Sequence, residues 1–398
     1  MNFDFSEEDK SFRKEVIHFA ESELLPHWNE EAVCWPGGYG TMPIFDAKYK
    51  EFCDDFLGKL GSRGWLSLSW PRVYGGRGSM MKHGIVQDVL GYFMAPNGNA
   101  ATLMVAPTIL KFGSDKMKEE WLSRIALGKH QFWMGYSEPN AGSDVRNVYT
   151  RAVKDGDHYI VNGEKVWASG AHLSDHAWLL VRTGEKDSGH QGLSLLIVDN
   201  HSEGITIRPV KNICGIYSFD EVFFNDVRVP QENLVGEEGK GFYYIMNALQ
   251  YERVILSIGG FRRVMDELIN FAKTKVLYGK PLSKHTIIRN KIAEMAIEVE
   301  TLYGLYWRSI WQIDKGELSE VLLSALKLFS TELGQKIAGA GMEILGLYGQ
   351  LERGSKWAPL RGWLSLGYLD SVSGPIGAGT SEIQRNIIAT RGLGLPLH

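Results

Sequence analysis

Two segments of the sequence combine small residues with polar side chains, as ligand-binding loops do. Near the C-terminus, Gly374-Pro-Ile-Gly-Ala-Gly-Thr-Ser-Glu-Ile-Gln-Arg385 is rich in glycine, which lets another molecule approach the main chain closely. Ser381 and Gln384 predict a capping box at the start of a helix, where unpaired N–H groups attract an anionic or oxygen-rich ligand. A plain turn between two packed helices is the alternative, because short glycine-rich matches are weak evidence.

The second segment, Tyr136-Ser-Glu-Pro-Asn-Ala-Gly-Ser-Asp144, carries more functional groups than a simple turn requires. Its small residues, Gly142 among them, allow close approach to the backbone. The hydroxyl groups of Ser137 and Ser143 can donate hydrogen bonds to carbonyl or phosphate oxygens. This segment therefore indicates a binding loop.

A third segment, Asn162-Gly-Glu-Lys-Val-Trp-Ala-Ser169, contains a turn signal followed by an aromatic residue. Asn162-Gly163 predicts a type I′ hairpin turn, and the flat face of Trp167 could cover a heteroaromatic ring. A core tryptophan is the alternative, because the chain contains 12 tryptophans that compete for this role.

Metal and disulfide chemistry have little support in the sequence. His172 and His176 have the spacing of a helical zinc pair, but they are predicted in a turn before a strand and lack a following glutamate. Cys34, Cys53 and Cys214 lie far apart and form no C-x-x-C pair. We therefore expect no metal site and no disulfide framework.

The length and composition allow a multidomain enzyme. A chain of 398 residues with 44% apolar residues is long enough for two or three domains. The net charge of -4 arises from interspersed acids and bases, which argues against nucleic acid or a membrane surface as the main partner. No apolar run is long enough to span a bilayer and no signal pattern is evident, so a cytoplasmic location is expected.

The spacing of the apolar residues changes twice along the chain. These changes divide the chain into three regions, whose helices and strands must position the segments described above. Helical spacing extends to residue 129, short strands follow, and helical spacing returns after residue 236. The pattern predicts an α+β chain with an antiparallel barrel or sandwich between two helical domains. The predicted helices cover 6–24, 47–63, 81–94, 100–127, a segment from 242, 287–313, 321–345 and a last segment after the glycine loop. The predicted strands cover 150–153, 158–161, 165–168, 178–183, 193–198, 205–210 and 222–229, with hairpin turns at 155–156 and 162–163.

Taken together, the three segments and the pair Glu252-Arg253 resemble the acyl-CoA dehydrogenase family in order and spacing. The resemblance covers essentially the whole chain. It implies an N-terminal helical domain (1–129), a middle antiparallel β-barrel domain (130–236) and a C-terminal four-helix-type domain (237–398).

The resemblance also implies FAD as the cofactor. By matching position, the residues that would contact flavin, substrate or pyrophosphate are Met134, Tyr136, Ser137, Gly142 and Ser143. Trp167 and Ser169 would flank the flavin ring, and Thr380 and Glu382 would meet FAD at the capped helix. Across a subunit boundary, the matching positions are Lys275, Tyr278, Glu343 and Gly346. Lys275 stands where the family usually has arginine, and Glu343 stands where glutamine is common. Lysine lacks the bidentate fork of arginine, so the second half of the FAD site departs from the family pattern.

The family removes an α-proton from a thioester while a hydride leaves Cβ, which requires a carboxylate base and donors to the thioester oxygen. Many members carry the base in the glycine loop, where this chain has Ala378. A minority, typified by isovaleryl-CoA dehydrogenase, take it from the glutamate of the Glu-Arg pair, which here is Glu252. The resemblance thus implies Glu252 as the base and the Ala378 N–H as a donor to the thioester oxygen. A simple ion pair between Glu252 and Arg253 is the alternative.

The implied function is FAD-dependent 2,3-dehydrogenation of an acyl-CoA, with electrons passing to an electron-transferring flavoprotein. The chain end resembles bacterial members that act on branched, cyclic or steroid-derived acyl-CoAs, and a homotetramer or a heterotetramer with a related chain is expected. Two alternatives stay open. One is a flavin monooxygenase or nitroalkane oxidase of the same fold, and the other is a non-catalytic subunit of a heterotetrameric acyl-CoA dehydrogenase.

Overall fold

The computed structural model describes residues 4–31, 34–38, 43–253 and 258–396, and the side chain of Glu252 also lies outside the described part. These residues form two compact units, each built from separate stretches of the chain. The first unit contains Met1–Pro43, Ser79–Asn97 and Arg253–His398, and the second contains Ile44–Gly78 and Gly98–Glu252.

The predicted alternation of helices, strands and helices is confirmed. In chain order, the α-helices of the described residues are α1 (Glu7–Glu23), α2 (Trp28–Glu31), α3 (Lys50–Ser62), α4 (Met80–Tyr92), α5 (Ala106–Phe112), α6 (Asp115–Ala126), α7 (Gly241–Glu252), α8 (Ile258–Thr274), α9 (Thr286–Asp314), α10 (Glu320–Leu345), α11 (Trp363–Asp370) and α12 (Ser381–Ile387). The strands are β1 (Phe132–Gly135), β2 (Arg151–Asp155), β3 (His158–Ser169), β4 (His176–Arg182), β5 (Leu193–Asp199), β6 (Ile205–Val210), β7 (Phe219–Pro230), β8 (Val276–Leu277) and β9 (Lys280–Pro281). No helix among the described residues is long and apolar enough to cross a lipid bilayer.

In the first unit, helix α1 begins where the sequence predicts it. The Ser6 hydroxyl accepts a hydrogen bond from the Asp9 N–H at 3.1 Å, and acidic residues fill the first turn next to the positive end of the helix dipole. Phe12, Val16 and Phe19 follow at helical spacing and are buried. Local sequence is therefore sufficient to set the start and the inner face of this helix.

The core of the first unit lies among the long helices α8, α9 and α10. Phe261 of α8, Leu302 of α9 and Leu326 of α10 belong to one cluster of buried apolar side chains. Trp35 joins this cluster, packs edge-on against Trp363 and donates its indole N–H to the Gly334 carbonyl at 3.2 Å. Trp35 thus connects α10 with α11.

Asp88 of α4 is a buried carboxylate that joins three helices of the first unit. It accepts a hydrogen bond from Arg13 of α1 at 2.5 Å and another from the Tyr303 hydroxyl of α9 at 2.6 Å. Burial, followed by the nearby carboxylate charge of Asp88, raises the pKa of Tyr303, so this hydroxyl keeps its proton and remains a donor.

The second unit contains a seven-stranded sheet in the order β1-β4-β2-β3-β7-β6, with β5 on the other edge of β4. Most pairs are antiparallel, as the sequence predicts, but β1 pairs with β4 in parallel. The sequence pattern missed β1 because a strand of four residues is too short to show a clear alternation. A parallel pair is possible because the connection from β1 to β4 is long and includes β2 and β3.

One of the two predicted hairpin turns is present and the other is wrong. Asp155-Gly156 joins the paired strands β2 and β3, and Gly156 has a φ of 60°. At Asn162-Gly163, however, β3 continues, because the chain pairs there with β7. The Asn162 side chain exchanges two hydrogen bonds of 2.9 Å with Asp226, whose φ of 52° marks an extra residue on β7. Pairing between strands has overridden the local turn preference.

Strand β3 contains a second irregularity farther along. Lys165 pairs with Val222 and Ala168 pairs with Asp220, so β3 has one residue more than β7 in this interval. Trp167 lies in the interval with a φ of 59°, a left-handed conformation that is uncommon for a bulky residue. The strand is therefore bulged at Trp167.

Helices of the second unit pack on this sheet. The predicted helix over 100–127 is divided into a π-helical turn at Ala101–Val105, α5 and α6. The break comes at Gly113-Ser114, where the Ser114 hydroxyl caps α6 by accepting from the Met117 N–H at 3.2 Å. Buried side chains from these helices, from α7 and from β4 and β5 form one apolar cluster.

Candidate functional site

In the second unit, the structure brings together two segments that the sequence analysis considered separately. The Val166 N–H of β3 donates to the Ser137 carbonyl at 3.0 Å, and the Lys165 ammonium donates to the Tyr136 carbonyl at 3.2 Å. Lys165 also donates to the Glu138 carboxylate at 2.8 Å. The loop after β1 is therefore held against β3 by both backbone and side-chain hydrogen bonds.

The Glu138 carboxylate connects the loop after β1 to the residues around it. Its carboxylate accepts the Tyr149 N–H and, at 2.8 Å, the Thr150 N–H, in addition to the Lys165 ammonium. Burial lowers the pKa of Lys165 to about 8, and the Glu138 charge opposes that shift. Burial alone would raise the pKa of Glu138, but Lys165 and the two N–H donors hold it below the usual value. The pair is therefore charged and satisfied at neutral pH.

The predicted ligand residues of these segments lie on and beside this anchored loop. Met134, Tyr136, Ser137 and Ser169 are half-buried, whereas Gly142 and Ser143 are exposed. An added Cβ at Gly142 would meet no atom of the protein within 4 Å. Neighbouring protein atoms therefore do not require a glycine there, which fits a position kept small for a ligand.

Trp167 is exposed, which contradicts the alternative of a core tryptophan. Its side chain is 61% accessible, and the ring packs edge-on against Phe219 with the centroids 6.2 Å apart. The bulge in β3 turns this indole outward although Lys165, two residues earlier on the same strand, is buried. A large flat apolar surface is thus available to cover a ring.

In the first unit, the glycine loop lies over helix α10. The Lys327 ammonium donates to the Gly374 carbonyl at 3.0 Å and to the Gly379 carbonyl at 2.8 Å. The Gln384 amide donates to the Ala378 and Gly379 carbonyls at 3.2 and 3.0 Å, and the Ser381 N–H donates to the Pro375 carbonyl. The loop is therefore a closed, internally bonded turn.

The helix cap after this loop differs from the prediction by one residue. Thr380, not Ser381, is the N-cap of α12, and its hydroxyl accepts the Ile383 N–H at 3.2 Å. Ser381 already has helical geometry, and its buried hydroxyl finds no partner among the described residues. Gln384 does not reach back to the cap because its amide bonds to the loop carbonyls. The predicted capping box is therefore wrong.

Ala378 has an unusual backbone conformation. Its φ is 53°, a region that non-glycine residues rarely occupy and that is often found at functional sites. Its carbonyl is bonded to Gln384, whereas its N–H has no hydrogen-bond partner within the described part of the chain. This N–H is free to donate to a ligand. Glu382 is exposed, and its own N–H and then the Thr380 hydroxyl hold the pKa of its carboxyl below the usual value.

The four residues predicted for the second half of a cofactor site lie at one end of α10 and on a nearby hairpin of the first unit. Tyr278 is at the tip of the β8–β9 hairpin and is 90% exposed. The Lys275 ammonium lies 5.2 Å from the centroid of the Tyr348 ring, just beyond Gly346, which ends α10. Glu343 forms an ion pair with Lys291 of α9. Both departures from the family pattern therefore have contacts within this chain.

The predicted base is at the end of a helix of the second unit. Glu252 is the last residue of α7, but its side chain lies outside the described residues. Its neighbour Arg253 is buried and donates to the Ser324 hydroxyl of α10 at 3.2 Å.

The two histidines with metal-like spacing have different partners. The Nδ1 atom of His172 donates to the buried Asp220 carboxylate, whose two oxygens lie at 2.9 and 3.0 Å. His176 instead lies 3.1 Å from the ring nitrogen of His130. Burial, followed by the His130 charge, lowers the pKa of His176 to about 4, so its ring is neutral at physiological pH.

Lys165, Glu138 and Lys327 hold the two loops in ways that the sequence pattern did not predict. A usable signal existed for Lys327, because it lies at helical spacing from the apolar residues Leu323 and Leu326 on the inner face of α10. Lys165 lies in a strand two residues before Trp167, where alternation alone would put both side chains on one face. The bulge that separates them is a tertiary feature.

Comparison with known proteins agrees with this architecture. Three family models match successive parts of the chain: acyl-CoA dehydrogenase N-terminal domain at residues 6–129, middle domain at 134–227 and C-terminal domain at 239–393. Acyl-CoA dehydrogenase FadE26 of Mycobacterium tuberculosis is 35% identical, over 100% of this chain and 99% of its own length.

Solved structures give the same result. The ChsE4-ChsE5 complex from Mycobacterium tuberculosis contains a chain with a TM-score of 0.89 and 34% identity, covering 100% of both chains. The Tcur3481-Tcur3483 steroid ACAD contains one with a TM-score of 0.89 and 28% identity, again over 100% of both chains. The chain with the anchored glycine loop and the exposed tryptophan thus belongs to the acyl-CoA dehydrogenase family.

Proposed function

We propose that this chain catalyses the FAD-dependent 2,3-dehydrogenation of an acyl-CoA thioester to the trans-2-enoyl-CoA. The family is one of flavoprotein oxidoreductases, so the class of reaction follows from membership. The observation that carries the assignment of roles is the free N–H of Ala378 in a loop that lacks a carboxylate. Such a loop can donate to a thioester oxygen but cannot itself remove a proton.

In this reaction Glu252 takes the α-proton, and the Ala378 N–H donates to the thioester oxygen as negative charge develops on it. FAD, when bound, would accept the hydride that leaves Cβ, so that the two hydrogens leave as a proton and a hydride and a carbon–carbon double bond forms. The base must come from outside the glycine loop, and the carboxylate of the Glu252-Arg253 pair has the matching position in the sequence. Electrons are proposed to pass to an electron-transferring flavoprotein.

The residues present are suited to FAD. Trp167 offers an exposed indole, Ser137 and Ser143 offer hydroxyl donors, and Gly142 leaves space that no protein atom requires. In the first unit, Thr380 and Glu382 begin α12 next to the glycine loop. Together with Met134, Tyr136 and Ser169, these residues are proposed to hold the flavin and its pyrophosphate.

The second half of the cofactor site is proposed to come from a different, related chain. Lys275, Tyr278, Glu343 and Gly346 are the matching residues here, but the exposed Glu343 carboxylate is ion-paired with Lys291 of the same chain. An arginine and a glutamine would offer a fork and an uncharged amide to a pyrophosphate, whereas Glu343 offers negative charge. The names of two similar structures, ChsE4-ChsE5 and Tcur3481-Tcur3483, each describe a pair of proteins. We therefore favour a heterotetramer over a homotetramer.

The substrate is proposed to be a branched, cyclic or steroid-derived acyl-CoA, and the enzyme is proposed to work in the cytoplasm. Support for the substrate class comes from the word steroid in the name of one similar structure. A panel of straight-chain, branched and ring-bearing acyl-CoAs tests this class directly.

The test of the reaction is anaerobic bleaching of the flavin. The chain, expressed with its related partner chain, is expected to be yellow and to lose its flavin absorbance when the matching acyl-CoA is added. Glu252→Gln is expected to retain FAD and to lose bleaching, because the amide cannot accept the α-proton. FAD-loaded protein that bleaches with no thioester would refute the dehydrogenase assignment, and full activity in Glu252→Gln would refute the base.

The Glu343–Lys291 ion pair also favours a second candidate, a subunit without catalytic activity in a heterotetramer. This candidate predicts that the chain expressed alone is colourless and that, in the assembly, the partner chain supplies both the flavin and the base. A yellow protein whose bleaching depends on Glu252 excludes it. A same-fold monooxygenase or nitroalkane oxidase would instead turn over without a thioester.

A further inference from the structure

Lys327 is a fully buried lysine that contacts the glycine loop and has no part in the reaction as described above. It lies in the middle of α10, on the face that carries the buried residues Leu323 and Leu326, and its side chain has no solvent exposure. Burying an ammonium group costs far more than burying a methionine of similar length, unless hydrogen bonds compensate. A lysine at such a position therefore calls for an explanation.

The hydrogen bonds of Lys327 are directed to both ends of the loop. Its ammonium donates to the Gly374 carbonyl at 3.0 Å and to the Gly379 carbonyl at 2.8 Å, so one point charge fixes the entry and the exit of the segment. Each bond gives the buried Nζ group an acceptor and so offsets part of the cost of removing it from water. The intervening residues are held in a closed turn by these two bonds.

The entry is also fixed from the other side. A Cβ on Gly374 would lie 2.1 Å from the Gly37 carbonyl oxygen, so Gly374 is packed directly against main chain. With Gly374 confined in this way, the bond from Lys327 to Gly379 limits how far the turn opens, together with the bonds from Gln384 to the Ala378 and Gly379 carbonyls. Ala378 immediately precedes Gly379 and has a φ of 53°, so its conformation depends on where the exit is held.

We propose that Lys327 is the positioning residue for the Ala378 N–H. By clamping the carbonyls of Gly374 and Gly379, it keeps Ala378 in its left-handed conformation and aims the free N–H at the position of a thioester oxygen. This inference rests on the proposed function, because only a ligand with such an oxygen makes the direction of that N–H matter. Lys327 itself touches neither the substrate nor the reacting atoms.

The test compares two variants of the same helix. Lys327→Met removes the ammonium and keeps the length of the side chain, whereas Lys336→Met removes a lysine of α10 that makes an exposed ion pair with Glu298. Both variants are prepared as the assembled, FAD-loaded protein. Each is titrated with the CoA thioester that bleaches the wild type best, and with the matching CoA thioether, which has a methylene in place of the carbonyl.

The thioether reports general damage to the site, since it has no oxygen for Ala378 to contact. We expect Lys327→Met to bind the thioester about tenfold more weakly, to bind the thioether as the wild type does, and to lose roughly 10²-fold in kcat. Lys336→Met is expected to match the wild type in all three measurements. Equal weakening of thioester and thioether, or no weakening of either, would overturn the proposal.

A second variant distinguishes a loss of folding from a loss of positioning. Lys327→Gln keeps N–H donors without the charge and is expected to lie between the wild type and Lys327→Met in its preference for the thioester. If neither variant folds while Lys336→Met does, Lys327 serves the stability of the fold and the proposal is wrong. Failure of the proposed function gives a different result, because the wild type itself would then not prefer thioester over thioether.

Discussion

The Lys165 ammonium and the Glu138 carboxylate form a buried ion pair, with Nζ and Oε1 2.8 Å apart and both side chains almost fully shielded from solvent. The two residues belong to different segments of the chain, the loop after β1 and strand β3. Because the pair also captures the Tyr136 carbonyl and two backbone N–H groups, it fixes the loop to which Ser137 belongs.

Removing the lysine of this ion pair is expected to destabilise the protein and release FAD. Lys165→Met leaves the Glu138 charge buried without its partner, which should lower the free energy of unfolding by about 3–5 kcal/mol. Urea denaturation measures the stability, and flavin absorbance after gel filtration measures retention. Lys154→Met, which changes an exposed lysine of β2, is the control and should behave as the wild type. Unchanged flavin content in Lys165→Met would contradict a role for the pair in holding the loop.

His83 is expected to make the first unit sensitive to acid. Burial lowers its pKa to about 4 in the folded state, against 6.5 when exposed. Between those values the unfolded chain binds the proton and the folded chain does not, so stability falls as the pH drops through this window. From pH 7 to pH 5 the loss should be roughly 2 kcal/mol from this residue.

Replacing the ring should remove that loss. His83→Leu is expected to reduce the fall in the unfolding free energy between pH 7 and 5 by roughly 2 kcal/mol, as measured by urea titrations at each pH, and the fall due to His176 should remain. His18→Leu, at an exposed position of α1, should leave the slope unchanged. A slope in His83→Leu as steep as that of the wild type would show that His83 does not cause it.

Asp88 is expected to contribute more to stability than either of its partners alone. Asp88→Ala leaves Arg13 of α1 and Tyr303 of α9 without their acceptor and should cost about 3–5 kcal/mol. Tyr303→Phe removes one hydrogen bond to a charged group and should cost about 1.5–3 kcal/mol. Thermal denaturation of both variants checks the order, and an equal loss would mean that the Arg13 contact adds nothing.

Trp167 is expected to matter for the cofactor but not for folding. Because the side chain is 61% exposed, Trp167→Ala should change the free energy of unfolding of the protein without cofactor by no more than about 0.5 kcal/mol. The same variant should bind added FAD more weakly, as measured by quenching of flavin fluorescence. Trp357→Ala removes another exposed indole, 67% accessible, and should bind FAD normally. Equal FAD affinity in both variants would remove Trp167 from the cofactor site.

Local sequence was a sufficient guide where the deciding contacts are local. Ser6 caps α1 because its hydroxyl needs only the N–H three residues on, and Asp155-Gly156 turns because its flanking strands pair with each other. Thr380 and Ser381 are adjacent hydroxyl residues that can both cap a helix, so a one-residue error there is inherent in the signal. Family resemblance, rather than periodicity, supplied the roles of the site residues.

What the sequence could not provide depends on distant partners. Asn162-Gly163 has the composition of a turn, and only the presence of β7 beside it makes the chain continue as a strand. Lys165 and Lys327 are lysines, which are ordinarily solvated, and their burial depends on acceptors 27 and 47 residues away in sequence. No short-range pattern records such acceptors.

The bulge lets strand β3 place one long side chain in the interior and another at the surface. Side chains of equal parity in a regular strand share a face, so Trp167 would point the same way as Lys165 and displace the core. The extra residue of the bulge shifts the alternation of side chains by one position. The Lys165 ammonium therefore stays in the interior and the Trp167 indole lies at the surface, within three positions of the chain. A substitution that forbids the left-handed conformation at position 167 would remove the bulge and turn the side chain of residue 167 to the same face as Lys165. The outward orientation of the Trp167 ring thus depends on the backbone φ angle at position 167 rather than on which residues surround it.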